Sequence, residues 1–70
     1  MVTTLDRAFI GRKLRKLRGN RTQQEVADAV GVTVMAISQY ESGERVPRDD
    51  IKLALAQYFD SNVDDIFFTL

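Results

Sequence analysis

The sequence predicts an all-α domain of five helices, and three observations support this. Apolar residues recur at helical spacing in several segments, whereas no segment shows the alternation that is typical of a β-strand. Capping residues and glycines separate these segments from one another. The chain has 70 residues, with no repeat and no low-complexity segment, so residues 1–70 are expected to form a single domain.

The first helix is expected to begin at a threonine cap, Thr3-Thr4, with Asp6 in its first turn. Leu14 and Leu17 belong to its apolar face, and arginines and lysines occupy the other face. Gly19-Asn20 is predicted to end this helix, because both residue types tolerate the left-handed conformation that a helix C-terminus needs.

Two short helices, rather than one long helix, are predicted between residues 22 and 41. The segment Thr22-Gln23-Gln24-Glu25 is a capping-box pattern, which begins a second helix. Gly31 can adopt a positive φ angle, and Thr33 is a further N-cap signal that a continuous helix would not need. We therefore expect a sharp turn at Gly31 and a third helix over residues 34–41.

Two further helices complete the predicted fold. Gly43 is expected to end the third helix, and Pro47 to begin the fourth, whose first turn holds Asp49-Asp50. Asn62 can cap a short fifth helix that presents the apolar residues of segment 63–67 to the core.

The composition excludes several classes of protein. The chain has no cysteine and no histidine, so neither a disulfide, a thiolate metal site nor a nucleophile–base pair can be built. The adjacent carboxylates Asp64 and Asp65 do not share a helix face. We therefore expect no enzyme activity, no cofactor and no metal site. No apolar run approaches the ~18 residues of a membrane span, and a reducing cytoplasm is the expected location.

The charges are distributed unevenly along the chain. Residues 1–48 carry nine basic and five acidic side chains, whereas residues 49–70 carry one basic and five acidic ones. This polarity suits a protein that presents one face to a polyanion.

Several motifs occur together in one order. Residues 23–42 have the spacing of a helix-turn-helix motif, with a small residue, a glycine and a branched apolar residue at its fixed positions. These are Ala27, Gly31 and Ile37. The segment Glu41-Ser42-Gly43-Glu44-Arg45-Val46-Pro47 follows it. With these motifs the chain resembles the phage-repressor (Xre- or Cro-like) helix-turn-helix family. The resemblance implies a lambda-repressor-like fold and a transcriptional regulator that binds double-stranded DNA.

The resemblance also implies roles for individual residues. The third helix would lie in the major groove, where a glutamine can pair with adenine and apolar side chains can contact thymine methyl groups. The expected base contacts are Thr33, Val34, Met35, Ser38 and Gln39. The expected phosphate contacts are Gln23, Arg21, Arg45 and Arg48. Arg18 and Glu41 are expected to form a structural ion pair, although the turn between the first two helices is about two residues shorter than is usual.

Proteins of this type usually bind inverted-repeat operators as homodimers. The expected interface is C-terminal, because Phe67, Phe68 and Leu70 would otherwise be exposed apolar side chains. The alternative for Phe67 is that it completes the core. An alternative for the whole chain is an antitoxin, or another regulator that acts mainly through a protein partner docked on this C-terminal apolar region.

Overall fold

The computed structural model describes residues 6–68 and contains, within that range, five α-helices and no strand. The predicted all-α fold of five helices is therefore confirmed. None of these helices is both long and apolar enough to cross a membrane. In chain order they are α1 (Arg7–Arg18), α2 (Gln23–Val30), α3 (Val34–Ser42), α4 (Asp49–Tyr58) and α5 (Val63–Phe67).

All five helices contribute to one hydrophobic core. Each helix buries the side that its apolar spacing predicts, and most charged residues face outwards, whereas Glu41 and Lys52 are buried. Ala27 is fully buried, as expected for a small residue where α2 crosses α3. The most deeply buried side chains are Ile10 and Leu14 of α1, Val26 of α2, Ile37 and Tyr40 of α3, Leu55 of α4, and Ile66 and Phe67 of α5.

The turn between α2 and α3 has the predicted geometry. Gly31 lies in the left-handed region, with φ 80° and ψ 34°, and its N–H donates to the carbonyl of Ala27 at 2.9 Å. The Thr33 hydroxyl accepts from the N–H of Ala36 at 3.0 Å, which caps α3. Two separate helices therefore meet at Gly31.

Gly31→Ala is expected to destabilise the domain only moderately. No atom lies within 4 Å of the position that a Cβ at residue 31 would occupy. The cost is therefore the left-handed conformation alone, about 1–2 kcal/mol of unfolding free energy. Urea denaturation measures this change. A loss well above that range would show that the side chain meets an obstacle, and no loss would show that the turn has rearranged.

The helix ends agree with most of the predicted caps and differ at the starts of α1 and α4. The capping box at Thr22 forms, and Asn62 caps α5 by accepting from the N–H of Asp65 at 2.9 Å. Asp6, however, is itself the N-cap of α1 rather than a first-turn residue, because its carboxylate accepts from the N–H of Phe9 at 3.1 Å. The predicted threonine cap lies outside the described residues.

The start of α4 also differs from the prediction. Pro47 is buried but precedes the helix, whose N-cap is Arg48 in an extended conformation (φ −68°, ψ 166°). The extended residue separates the proline from the first helical turn, so α4 begins two residues later than the proline suggested. Asp49 and Asp50 lie in the first turn as expected.

α1 approaches α3 closely at Gly11, a residue for which no role was predicted. Gly11 is buried against the backbone of α3. A Cβ at this position would lie 2.8 Å from the carbonyl carbon of Glu41 and 3.0 Å from the carbonyl oxygen of Tyr40. The absence of a side chain therefore sets how closely α3 packs on α1.

The C-terminal aromatic pair divides between core and surface. Phe67 has no exposed surface, so the expectation that it would be an exposed dimerisation residue is wrong. It follows Ile66 on α5, and both side chains fill the core instead. Phe68 is 36% exposed and remains available at the surface. Leu70, the third residue expected in the interface, lies outside the described residues.

Candidate nucleic-acid interface

The exposed side of α3 carries the residues that were predicted to contact bases. Thr33, Met35 and Ser38 are exposed, and Met35 is the most exposed large apolar side chain of the described residues, at 69%. A single exposed apolar side chain is common on protein surfaces, so the position of Met35 on the same side of α3 as Ser38 matters more than its exposure alone. Val34 differs, because it is half-buried and packs against the core, which limits how far it can reach from the surface.

Gln39 is held by the segment that follows α3. The Arg45 guanidinium donates from Nη1 to Gln39 Oε1 at 3.2 Å, and the N–H of Glu44 donates to the Gln39 carbonyl at 2.9 Å. An amide oxygen has two acceptor sites, so one remains for a second donor. The contact with Arg45 engages the amide oxygen of Gln39 and not its N–H₂ group.

A cluster of four side chains, Glu41, Arg18, Gln23 and Arg15, joins α1, α2 and α3. The Glu41 carboxylate is 3% exposed and accepts from Arg18 Nε at 2.7 Å and from Arg18 Nη2 at 3.1 Å. Gln23 Nε2 donates to the same carboxylate at 3.0 Å. The expected pair between Arg18 and Glu41 therefore forms in spite of the short turn, because Arg18 Nη1 also donates to the carbonyl of Arg21 at 2.9 Å.

The Arg18 guanidinium is stabilised in its charged form by Glu41. The hydrogen bond from Arg18 to Glu41 raises the pKa of the guanidinium above its ordinary value; desolvation opposes this rise, and the attraction between the charges adds to it. A raised pKa contributes stability that is fully present below the unfolded-state value and is lost only as the pH rises through the folded-state value. For an arginine both values lie at strongly alkaline pH, so the contribution of Arg18 to stability does not change near neutrality.

Gln23 is the first residue of α2 and is oriented by Glu41. One hydrogen of its Nε2 group is used in the bond to the carboxylate, and the other remains for an acceptor. The first N–H groups of a helix have no partner within the helix, and the helix dipole favours an anion at that end. The buried carboxylate therefore places a hydrogen-bond donor at a position that suits a phosphate.

The three arginines predicted to contact phosphates are placed differently from one another. Arg21 donates from Nη1 to the carbonyl of Leu17 at 3.0 Å, and its guanidinium lies over the Tyr58 ring at 5.2 Å, so it fastens the turn after α1 to the end of α4. Arg45 is exposed beside Gln39. Arg48 forms only a surface ion pair with Asp50, at 3.5 Å, and such pairs contribute little to stability.

No role was predicted for Arg15, although its spacing from Arg18 places both residues on one side of α1. Arg15 lies three residues before Arg18, and residues at that spacing are neighbours on a helix surface. Its Nε is 3.8 Å from Glu41 Oε1. Among residues 6–68, no group of three or more acidic side chains is arranged to hold a metal ion. The side chains at this surface offer hydrogen bonding, cationic contact and apolar contact.

Comparisons with known proteins agree with this geometry. A family model described as helix-turn-helix matches residues 12–66. The P22 c2 repressor, in complex with synthetic operator 9T, has a TM-score of 0.82 and 30% identity, over 84% of this chain and 92% of that one. No curated protein sequence matches the chain significantly.

Two further solved structures have the same fold. The SOS-response transcriptional repressor LexA from Eubacterium rectale has a TM-score of 0.83 and 29% identity, over 96% of this chain and 73% of that one. The restriction-modification controller protein C.AhdI from Aeromonas hydrophila has a TM-score of 0.78 and 26% identity, over 86% and 94% of the two chains. The chain belongs to the Cro/C1-type helix-turn-helix family of DNA-binding transcriptional regulators.

Proposed function

We propose that this protein is a sequence-specific repressor that binds an inverted-repeat operator as a homodimer, with α3 in the major groove. The observation that carries the proposal is the exposed side of α3, where Met35 is 69% exposed beside the oriented amide of Gln39. The other side of the same helix is buried and held by Glu41. A rigidly held helix with an apolar and an amide group in solvent suits base-edge recognition.

The proposed base-contacting residues of α3 favour A·T base pairs. Gln39 can donate to adenine N7 and accept from adenine N6, and Met35 can contact a thymine methyl group. Thr33 and Ser38 supply hydroxyl groups that bond either to bases or to the neighbouring backbone. Val34, which is half-buried, supports the helix and contacts a methyl group only with its exposed part.

Phosphate contacts supply most of the proposed affinity. Gln23 binds a phosphate at the N-terminus of α2, and Arg45 and Arg48 bind the backbone beyond the end of α3. Arg21 contributes mainly through the field of its charge, because its side chain is engaged with Leu17 and Tyr58.

The proposed homodimer forms through the surface around Phe68, with Leu53 of α4 as a second exposed apolar residue, at 53%. Isolated operator-binding domains of this size hold half-sites weakly, and pairing two of them about one DNA turn apart raises the effective affinity. Phe67 takes no part, since it is buried in the core.

Selection of bound fragments from a random duplex pool, at about 150 mM salt where nonspecific phosphate binding is weak, tests the proposed function. Enrichment of an inverted repeat with A·T positions in each half-site is the expected result. A reporter with that repeat across its promoter should then show lowered transcription when the protein is expressed. A pool without enrichment would contradict operator reading.

Gln39→Ala is expected to relax base preference at one position of each half-site. Loss of the bidentate contact should cost about 1–3 kcal/mol of binding free energy on the preferred sequence and much less when that adenine is replaced. Titration of matched duplexes by fluorescence anisotropy measures both values. Equal losses on every sequence would show that Gln39 supports the fold or the backbone rather than reading a base.

An antitoxin or other partner-dependent regulator is the second candidate. The acidic side chains of α4 and α5 and the exposed Phe68 favour it, because they form a surface that α3 does not need for DNA. Phe68→Asp separates the candidates. Lost regulation in cells with unchanged DNA affinity of the monomer supports the partner-dependent function, whereas weakened cooperative binding to the inverted repeat supports the homodimer.

A further inference from the structure

Arg15 adds a positive charge that the Glu41 cluster does not need. The single charge of the Glu41 carboxylate is matched by Arg18 through two hydrogen bonds. Gln23 donates a third bond to the same group. Arg15 Nε approaches Glu41 Oε1 only to 3.8 Å, which is beyond hydrogen-bond distance, and 66% of its side chain is exposed. The cluster therefore has a net charge of one, which Arg15 presents to solvent.

This charge lies beside the donor that is proposed to bind a phosphate. Gln23 Nε2 lies 3.0 Å from Glu41 Oε1, and Arg15 Nε lies 3.8 Å from the same oxygen atom. The two donors are therefore neighbours around one buried acceptor. Leaving Glu41 costs Arg15 little, because the Arg15 side chain is 66% exposed and is beyond hydrogen-bond distance of Glu41, and because Glu41 keeps its three hydrogen bonds.

We infer that Arg15 is a DNA phosphate contact that acts beside Gln23, an inference that rests on the proposed function. A guanidinium can donate two parallel N–H groups to phosphate oxygens, so a small rotation away from Glu41 would give Arg15 a stronger partner. Glu41 thus holds Gln23 rigidly with its hydrogen bond and holds Arg15 loosely with its charge.

The other basic residues of α1 provide a matched control. Arg12, Lys13 and Lys16 line a separate surface groove of about 250 Å³ together with Phe9. Arg12 is exposed, lies on the same helix, and has the same charge as Arg15. Arg12→Gln therefore removes an equal charge from α1 without touching the Glu41 cluster.

The test measures the salt dependence of duplex binding by wild type, Arg15→Gln, Arg12→Gln and Arg15→Lys between about 50 and 300 mM salt. The plot of log K against log salt should become shallower by about 0.9 for each bound copy of Arg15→Gln, since one fewer counterion is released. Arg12→Gln should change the slope by less than half of that value. Arg15→Lys should keep the wild-type slope because its charge remains. Thermal denaturation should show all four proteins equally folded, because the side chain at residue 15 is mostly exposed.

Each other outcome has a distinct meaning. Equal slopes for wild type and Arg15→Gln, or for Arg15→Gln and Arg12→Gln, would overturn the inference. Phosphate contacts do not depend on sequence, so the slope difference should also appear on a random duplex. If the slope difference appears on the random duplex but the protein prefers no duplex sequence, sequence-specific operator binding is contradicted while the role of Arg15 stands. A wild-type protein that binds no duplex at any salt concentration overturns both.

Discussion

Phe67→Ala is expected to remove much of the stability of the domain. Phe67 has no exposed surface, and truncating a buried phenylalanine to alanine typically costs about 3–5 kcal/mol, from lost burial and the cavity that remains. At roughly 0.05–0.15 kcal/mol per residue, a chain of this length has about 4–10 kcal/mol of unfolding free energy in total. The variant should therefore lose about a third or more of its unfolding free energy, and circular dichroism with urea titration measures the loss.

Phe68→Ala is the matched control, since the two residues are adjacent and chemically identical. Phe68 is 36% exposed, and its ring packs mainly near the Lys52 ammonium, whose Nζ lies 5.5 Å from the ring centroid. Its truncation should cost less than about 1 kcal/mol in the dilute protein. Phe67→Leu, which keeps most of the apolar volume, should lie between the two. Equal losses for Phe67→Ala and Phe68→Ala would contradict the buried position of Phe67.

Gly11→Ala is expected to destabilise the domain, although helix propensity alone predicts the opposite. In an exposed helix interior this change would add about 1 kcal/mol of stability. Here the new methyl group would meet the backbone of Glu41 and Tyr40, which belongs to α3 and cannot rotate away as a side chain can. The helices must separate, at a cost of about 1–3 kcal/mol or more.

The sign of the change decides this prediction. Urea denaturation of Gly11→Ala should show a lower unfolding free energy than wild type, and DNA affinity should fall further than stability does, because α3 is displaced from α1. Gly31→Ala supplies the comparison, since its added Cβ meets no atom within 4 Å. A Gly11→Ala protein that is more stable than wild type would show that α1 and α3 are not packed as closely as described.

Local chemistry made most of the fold predictable. The capping box at Thr22, the left-handed Gly31 and the caps at Thr33 and Asn62 each depend on residues within a few positions of one another, and all of them form. Gly11 was not predictable in the same way, and for Phe67 the sequence left both the core and the dimer interface open. Their environments are made by helices distant in sequence, and an interior glycine or a C-terminal phenylalanine has the same local signature whether it packs or not.

The candidate site also combines residues that local patterns predict with residues that only the packing of the helices positions. The exposure of Met35 and the pair between Arg18 and Glu41 could be expected from helical spacing and from the family pattern. The positions of Gln23 and Arg15 around Glu41, however, depend on how three helices meet. Arg21 shows the opposite case, because its position in a turn suggested a free cation, whereas the fold places it over Tyr58.

We propose that α3 contacts base edges in the major groove. A double-mutant cycle that combines Gln39→Ala with single 7-deazaadenine substitutions in the selected site measures this contact. The modified base lacks the N7 acceptor that faces the major groove. At one adenine of each half-site, the modified base should weaken DNA binding by the wild-type protein by about 1–3 kcal/mol, and it should leave DNA binding by Gln39→Ala almost unchanged. Losses that simply add at every adenine would show that Gln39 does not contact the major-groove edge, and would contradict the proposed orientation of α3.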